Sequence, residues 1–255
     1  MQKRIVIANW KMNPTNLAEA KKLFLQVKKV ASTLSHTETI IAPPFVFLGE
    51  LSKMYRGKKI AFCGQDMSFE ERGAFTGETS AAMLKSVGAT HVIVGHSERR
   101  HVGETDEMVN KKIRTARDAG LRVTVAIGES DRNHKEGTHL EFLTRQIELA
   151  FKNISVKDLS RIMIAYEPLW AIGKSAKQAM KSQELEETVL FIRKILMRLY
   201  GKTAAFRMPI LYGGSVEGEN AQELVKHSGV QGFLVGHASI SAEEFSDILC
   251  AVNTA

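Results

Sequence analysis

A single closed (β/α)8 barrel is the fold class this sequence predicts, on three observations. Short apolar runs and longer stretches of helical periodicity alternate from one end to the other. They form about eight strand-plus-helix units at a mean spacing near 30 residues, which matches the roughly 250 residues an eightfold barrel needs. No stretch has the composition of a linker, so residues 1–255 read as one domain. A doubly wound open sheet is the competing class, but it carries a glycine-rich dinucleotide turn after its first strand. Here that place holds Asn9-Trp10-Lys11-Met12-Asn13, and the fingerprint is absent.

Taken in order, Ile5 to Ala8 is the first strand, and Leu17, Leu23, Phe24, Val27, Ala31 and Leu34 follow at helical spacing with lysines between them. Ile40 to Ala42 precedes a helix from about Phe45. Ile60 to Cys63 precedes a long loop and a helix from Thr79, and His91 to Val94 a helix from Thr105. Val123 to Ile127 leads to a helix opened by a capping box, Thr138 with Glu141. Ile162 to Tyr166 leads to one carrying Leu185, Val189, Ile192, Leu196 and Leu199. Pro209 to Tyr212 and Phe233 to Val235 are the last strands, and a second capping box, Ser241 with Glu244, opens the final helix.

Composition narrows the function. The apolar fraction of 44% is that of a globular protein able to bury a large core. The apolar run after Lys3 and Arg4 is shorter than a signal-peptide core of about 7 residues, and nothing approaches the roughly 18 that span a bilayer. A cytoplasmic protein with no membrane partner is expected. The net charge of +7 is spread over pairs such as Lys21-Lys22, Lys28-Lys29 and Lys111-Lys112, with acids interspersed and no aromatic interleaving. That pattern reads as a solvated outer face rather than a nucleic-acid surface, and the field could also gather a small anionic substrate. Cys63 and Cys250 are too few for a disulfide scaffold and lack metal spacing, so both are expected reduced and buried.

Chemistry in a parallel barrel lies where the strands end. The sixth strand ends at Glu167, since Pro168 pushes the residue before it into extended geometry and stops the run. Leu169 to Ile172, with Gly173 after it, forms an apolar segment fit to be a lid over that carboxylate. Strand one ends in Asn9 and Lys11, and strand four in Gly95-His96-Ser97-Glu98-Arg99-Arg100. Strand seven ends in Gly213-Gly214-Ser215, and strand eight in Gly236-His237-Ala238-Ser239. A lysine, a histidine and a glutamate thus converge on one rim, beside two glycine-containing turns whose N–H groups suit a phosphate. His36, His134, His139 and His227 read as structural. Lys11 with Glu98 reads as a salt bridge that positions the lysine. Gly173-Lys174-Ser175 is not a nucleotide phosphate loop, because Pro168 stands where such a loop needs glycine.

Five segments carry a resemblance along the whole chain: Asn9 to Asn13, Gly73 to Glu78, Val94 to Arg100, Tyr166 to Gly173 and Tyr212 to Ser215. In order and spacing they resemble the triosephosphate isomerase family. The resemblance implies interconversion of dihydroxyacetone phosphate and glyceraldehyde 3-phosphate through an enediolate, with no metal or cofactor. It implies Glu167 as the base, His96 as a neutral electrophile, Lys11 as the electrostatic stabiliser and Asn9 as a further hydrogen bond. Glu98, with Ser97 beside it, would hold Lys11 from behind. Gly173, Ser215, Gly236 and His237 would seat the phosphate. The Gly73 to Glu78 loop would insert into the neighbouring subunit of a homodimer; the residues alone equally allow a monomer with an ordered surface loop. Two places depart from the family. Lys174-Ser175-Ala176 replaces a Thr-Gly-Lys stretch at the lid's second hinge, and His237 replaces a glycine, where a positive φ would cost a β-carbon about 1 kcal/mol. A barrel relative that only binds phosphate or serves as a scaffold is the alternative function.

Overall fold

The computed structural model describes residues 3–132, 137–171, 173–174 and 179–255. Eight parallel strands close on themselves in sequence order. They are β1 (Arg4–Asn9), β2 (Thr37–Ala42), β3 (Ile60–Gly64), β4 (His91–Val94), β5 (Arg122–Ile127), β6 (Ile162–Tyr166), β7 (Ile210–Tyr212) and β8 (Gly232–Val235). The ring is completed by β1 against β8, with Ile5 opposite Gly232 and Ala8 opposite Val235. The helices among the described residues are α1 (Leu17–Ala31), α2 (Phe45–Lys53), α3 (Ala81–Ser86), α4 (Ser97–His101), α5 (Asp106–Asp118), α6 (Thr138–Ala150), α7 (Ser182–Tyr200), α8 (Lys202–Arg207), α9 (Gly218–His227) and α10 (Ala242–Asn253).

The strands are apolar at almost every position because both of their faces are buried. Ile5, Ile7, Ile40, Ala42, Cys63, Ile93, Ala126, Met163, Ala165, Leu211 and Leu234 fill the barrel interior. The alternate residues, Val6, Ile41, Val92, Val125 and Ile164 among them, pack against the helices. On α1 the residues Ala20, Leu23, Phe24, Val27 and Ala31 make that buried stripe, and Asn16 opens the helix by accepting the Glu19 N–H at 2.9 Å.

Several expectations shift. The sixth strand stops at Tyr166, one residue early, although the Glu167 N–H still bonds to Ile127 O at 2.7 Å. Pro209, having no N–H, stands outside β7. Ser80 rather than Thr79 caps α3, while Thr105 caps α5 through the Met108 N–H. Thr138 and Glu141 form no capping box: Gly137, with φ of 63°, takes the cap position and leaves Thr138 inside the helix. Ser241 does cap α10 through the Glu244 N–H, and a full capping box appears at α9, between Glu217 and Asn220. Leu199 lies on the exposed side of α7. Cys250 is also exposed, on the outer side of α10, whereas Cys63 is buried in the barrel interior; both are free thiols.

Candidate active site

The carboxyl ends of the strands bring the anticipated side chains together. Asn9, Lys11, His96, Glu167, Gly173, Ser215, Gly236 and His237 border one cavity of about 410 Å³. None of His36, His139 and His227 borders it, and His134 lies outside the described residues.

Lys11 follows β1 with φ of 52°, a left-handed conformation unusual for a lysine. Two side chains hold it there. Its N–H donates to Asn9 Oδ1 at 3.1 Å, and its carbonyl accepts from Gln65 Nε2 at 2.8 Å, the same nitrogen that reaches Ala42 O at 2.8 Å. The ammonium then crosses Gly236, where a β-carbon would lie 3.3 Å from Lys11 Cε, and donates to Glu98 Oε1 at 2.8 Å. Burial pushes the Glu98 carboxyl up, and the hydrogen bond and charge of Lys11 outweigh it, holding Glu98 below the usual carboxylate value. The bridge thus positions the lysine as its sequence place implies.

His96 occupies the cap position of α4, a helix that periodicity alone does not reveal in five residues. Its Nδ1 accepts the Glu98 N–H at 3.2 Å. A nitrogen that accepts carries no proton, so the ring is neutral with its hydrogen on Nε2. That Nε2 faces Glu167 Oε1 at 3.3 Å, while the other carboxylate oxygen accepts the Ser97 N–H at 3.2 Å. Glu167 is 3% exposed. Gly213 makes room for it: a β-carbon there would fall 2.7 Å from Glu167 Cγ.

The lid begins in a 3-10 turn over Leu169–Ala171. Its anchor is Glu129, a buried carboxylate that accepts the Tyr166 hydroxyl at 2.8 Å and the Trp170 indole N–H at 2.9 Å on one oxygen. Burial, and then the charge of Glu129, raise the Tyr166 phenol and keep it a donor. At the far side one hydroxyl, that of Ser215, accepts the Lys174 N–H at 2.9 Å and donates to Ala171 O at 3.0 Å. Ile172 of the lid, with Ser175 and Ala176 of its second hinge, lies outside the described residues.

His237 needs no glycine. It opens a 3-10 turn and is absent from the positive-φ residues, so its β-carbon meets no backbone strain. The sequence reading passed over Gln65 and Glu129. Gln65 directly follows the end of β3 at Gly64, and Glu129 stands two residues past the end of β5 at Ile127, close to the signal that singled out Glu167. It also passed over the support beneath His96, where Lys112 pairs with Glu104 and, at 2.7 Å, with Asp66. Glu104 in turn accepts the Gly95 N–H at 3.0 Å.

The arrangement can do proton-transfer chemistry: a buried carboxylate faces a neutral imidazole N–H, with a fixed ammonium and the glycine-containing turns after β7 and β8 bordering the same cavity. No helix among the described residues is long and apolar enough to cross a membrane. The family profile described as triosephosphate isomerase matches residues 4–252. The chain is 42% identical over 253 residues to the triosephosphate isomerase of Thermoanaerobacter pseudethanolicus, covering 98% of this chain and 99% of that one. It is 41% identical over 250 residues to the triosephosphate isomerase of Caldanaerobacter subterraneus subsp. tengcongensis, again covering 98% and 99%. With a profile match and identities of this size along nearly its whole length, the chain belongs to the triosephosphate isomerase family.

Proposed function

We propose that this chain interconverts dihydroxyacetone phosphate and D-glyceraldehyde 3-phosphate through an enediolate, as its relatives' name implies. The observation that supports this most is the pairing of His96 Nε2 with Glu167 Oε1 at 3.3 Å, with His96 Nδ1 already committed as an acceptor. Glu167 takes a proton from C1 of the ketone while His96 Nε2–H bonds to the C2 oxygen. As the enediolate forms, the ring passes a proton from the C1 oxygen to the C2 oxygen, and Glu167 returns its proton to C2 to leave the aldehyde at C1. Lys11 offsets the charge of the enediolate, Asn9 adds a hydrogen bond, and Glu98 keeps the ammonium in place. The Ser97 N–H orients the carboxylate.

The phosphate rests on the N–H groups of Gly173, Ser215, Gly236 and His237. The lid excludes water and so suppresses loss of phosphate from the enediolate. The reaction requires neither metal nor cofactor. The working form in this reading is a cytoplasmic homodimer. Its support is a set of exposed apolar side chains on the loops after β1 and β3 and on α2 and α3, among them Met12, Phe75, Val46 and Met83. A cavity of about 220 Å³ beside the site, bordered by Lys11, Gln65 and Glu98, suits the partner's Gly73 to Glu78 loop.

A coupled isomerase assay on the parent and on Glu167→Gln tests the assignment. The parent should turn over both triose phosphates, and the variant should lose about 10²- to 10⁴-fold in kcat, the usual worth of a positioned base. A silent parent would favour the phosphate-binding or scaffold alternative, and an undiminished variant would remove Glu167 from the mechanism.

A further inference from the structure

At the opposite, amino-terminal mouth of the barrel lies a second cavity, of about 450 Å³. This end of a parallel barrel takes no part in the chemistry at the strand tips. Its floor is apolar, with Ile5, Met163 and Met208 among the lining residues. Four cations, Lys3, Arg122, Arg161 and Arg207, line it against a single carboxylate, Glu38.

Helix carbonyl ends also gather at this mouth, and they account for part of the positive charge. Arg161 Nη1 donates to Gly120 O, just past the end of α5, at 2.8 Å. Arg122 Nη1 lies 3.6 Å from Glu38 Oε1. Lys3 and Arg207 are left over. Among the described residues neither side chain has a hydrogen bond or an ion pair, and both are exposed at the cavity's edge.

We infer that this mouth is a second small-molecule site, which takes an organic phosphomonoester with an apolar body. The phosphate meets Lys3 and Arg207, and the body lies on the apolar floor. The cavity falls within the roughly 300–1,000 Å³ of ordinary ligand pockets, and its apolar floor suits an aromatic ring better than the polar carbon chain of a triose. The overall charge of +7 thus has a local use, in an unneutralised pair of cations over a greasy pocket.

Calorimetric titration of the full chain with 1-naphthyl phosphate, with and without saturating glycerol 3-phosphate to fill the carboxyl-end cavity, tests this. One equivalent should bind in both conditions. The double variant Lys3→Gln, Arg207→Gln should bind at least about tenfold more weakly, as expected when charge-assisted contacts are removed. Both positions are exposed, and an unchanged thermal midpoint would show that the fold is intact. The inference is overturned if no saturable binding is seen, if glycerol 3-phosphate abolishes it, or if the double variant weakens it by less than tenfold. None of these readouts depends on isomerase turnover, so the failure of either reading leaves the other standing.

Discussion

Single histidines at the two mouths of the barrel sit in opposite surroundings, one exposed and one buried. At the carboxyl mouth, His237 has an ordinary backbone conformation and an exposed imidazole, and in the proposed reading its N–H meets the phosphate. His237→Gly keeps the amide and loses the ring. We expect KM to rise about two- to fivefold, the range of an exposed charge contact, with kcat nearly unchanged. Steady-state kinetics check this, and a collapsed kcat with an unchanged KM would show the ring acting in chemistry. At the amino mouth, His91 is buried at the start of β4, with Nε2 unpartnered and 4.0 Å from Glu38. Burial, and then the charge of Arg122, lower its pKa from 6.5 to about 3. The folded ring therefore stays neutral down to about that pH, while the unfolded chain's imidazole takes a proton near 6.5. The unfolded state binds more protons in that window, so stability is full above it and falls as pH drops through it. From about pH 6.5 to about pH 5 the parent should lose roughly 2 kcal/mol more than His91→Gln. Urea unfolding at both pH values decides, and parallel losses would dismiss the effect.

At the scale of elements, the site depends on how loops are fastened to neighbouring strands. Gln65 ties the turn after β1 to the end of β2, Glu129 ties the lid to β6, and Ser215 ties the lid to the turn after β7. The α5 helix does the same from outside the barrel, through Lys112. Its side chain is 4% exposed and its ammonium neutralises Glu104 and Asp66, and Glu104 holds the Gly95 amide just before His96. Lys112→Met should cost about 3–5 kcal/mol, because it strands a buried carboxylate. It should also lower kcat modestly by freeing the start of the His96 segment. Denaturant unfolding measures the first effect, and a loss below about 1 kcal/mol would mean that the Gly95 N–H on Glu104 and the Arg99 guanidinium, 2.8 Å from Asp66, suffice to satisfy the two carboxylates.

For the whole molecule, the proposed dimer rests on apolar side chains that water otherwise meets. Phe75, at the tip of the loop after β3, is 45% exposed, and Met12, on the loop after β1, is 91% exposed. Phe75→Glu should turn a sedimenting dimer into monomers and lower activity with it, because Lys11 and Glu98 themselves border the socket. A parent that sediments as a monomer would refute the dimer directly.

The sequence by itself determined the barrel, since strands buried on both faces must be apolar throughout, and alternation with helical periodicity admits few other closures. It also singled out Asn9, Lys11, His96 and Glu167 as candidates, because each stands near the end of an apolar run, and the four border one cavity. What only the tertiary structure decided were relations between side chains far apart in the chain. Examples are the His96 tautomer, set by a helix of five residues, and the support of Lys11 by Gln65, 54 positions away. Others are the sharing of Glu129 by Tyr166 and Trp170, and the exposure of Cys250. Periodicity reports which face of an element is buried, whereas hydrogen bonds between loops depend on ring closure, which brings the ends of distant strands within reach of one another.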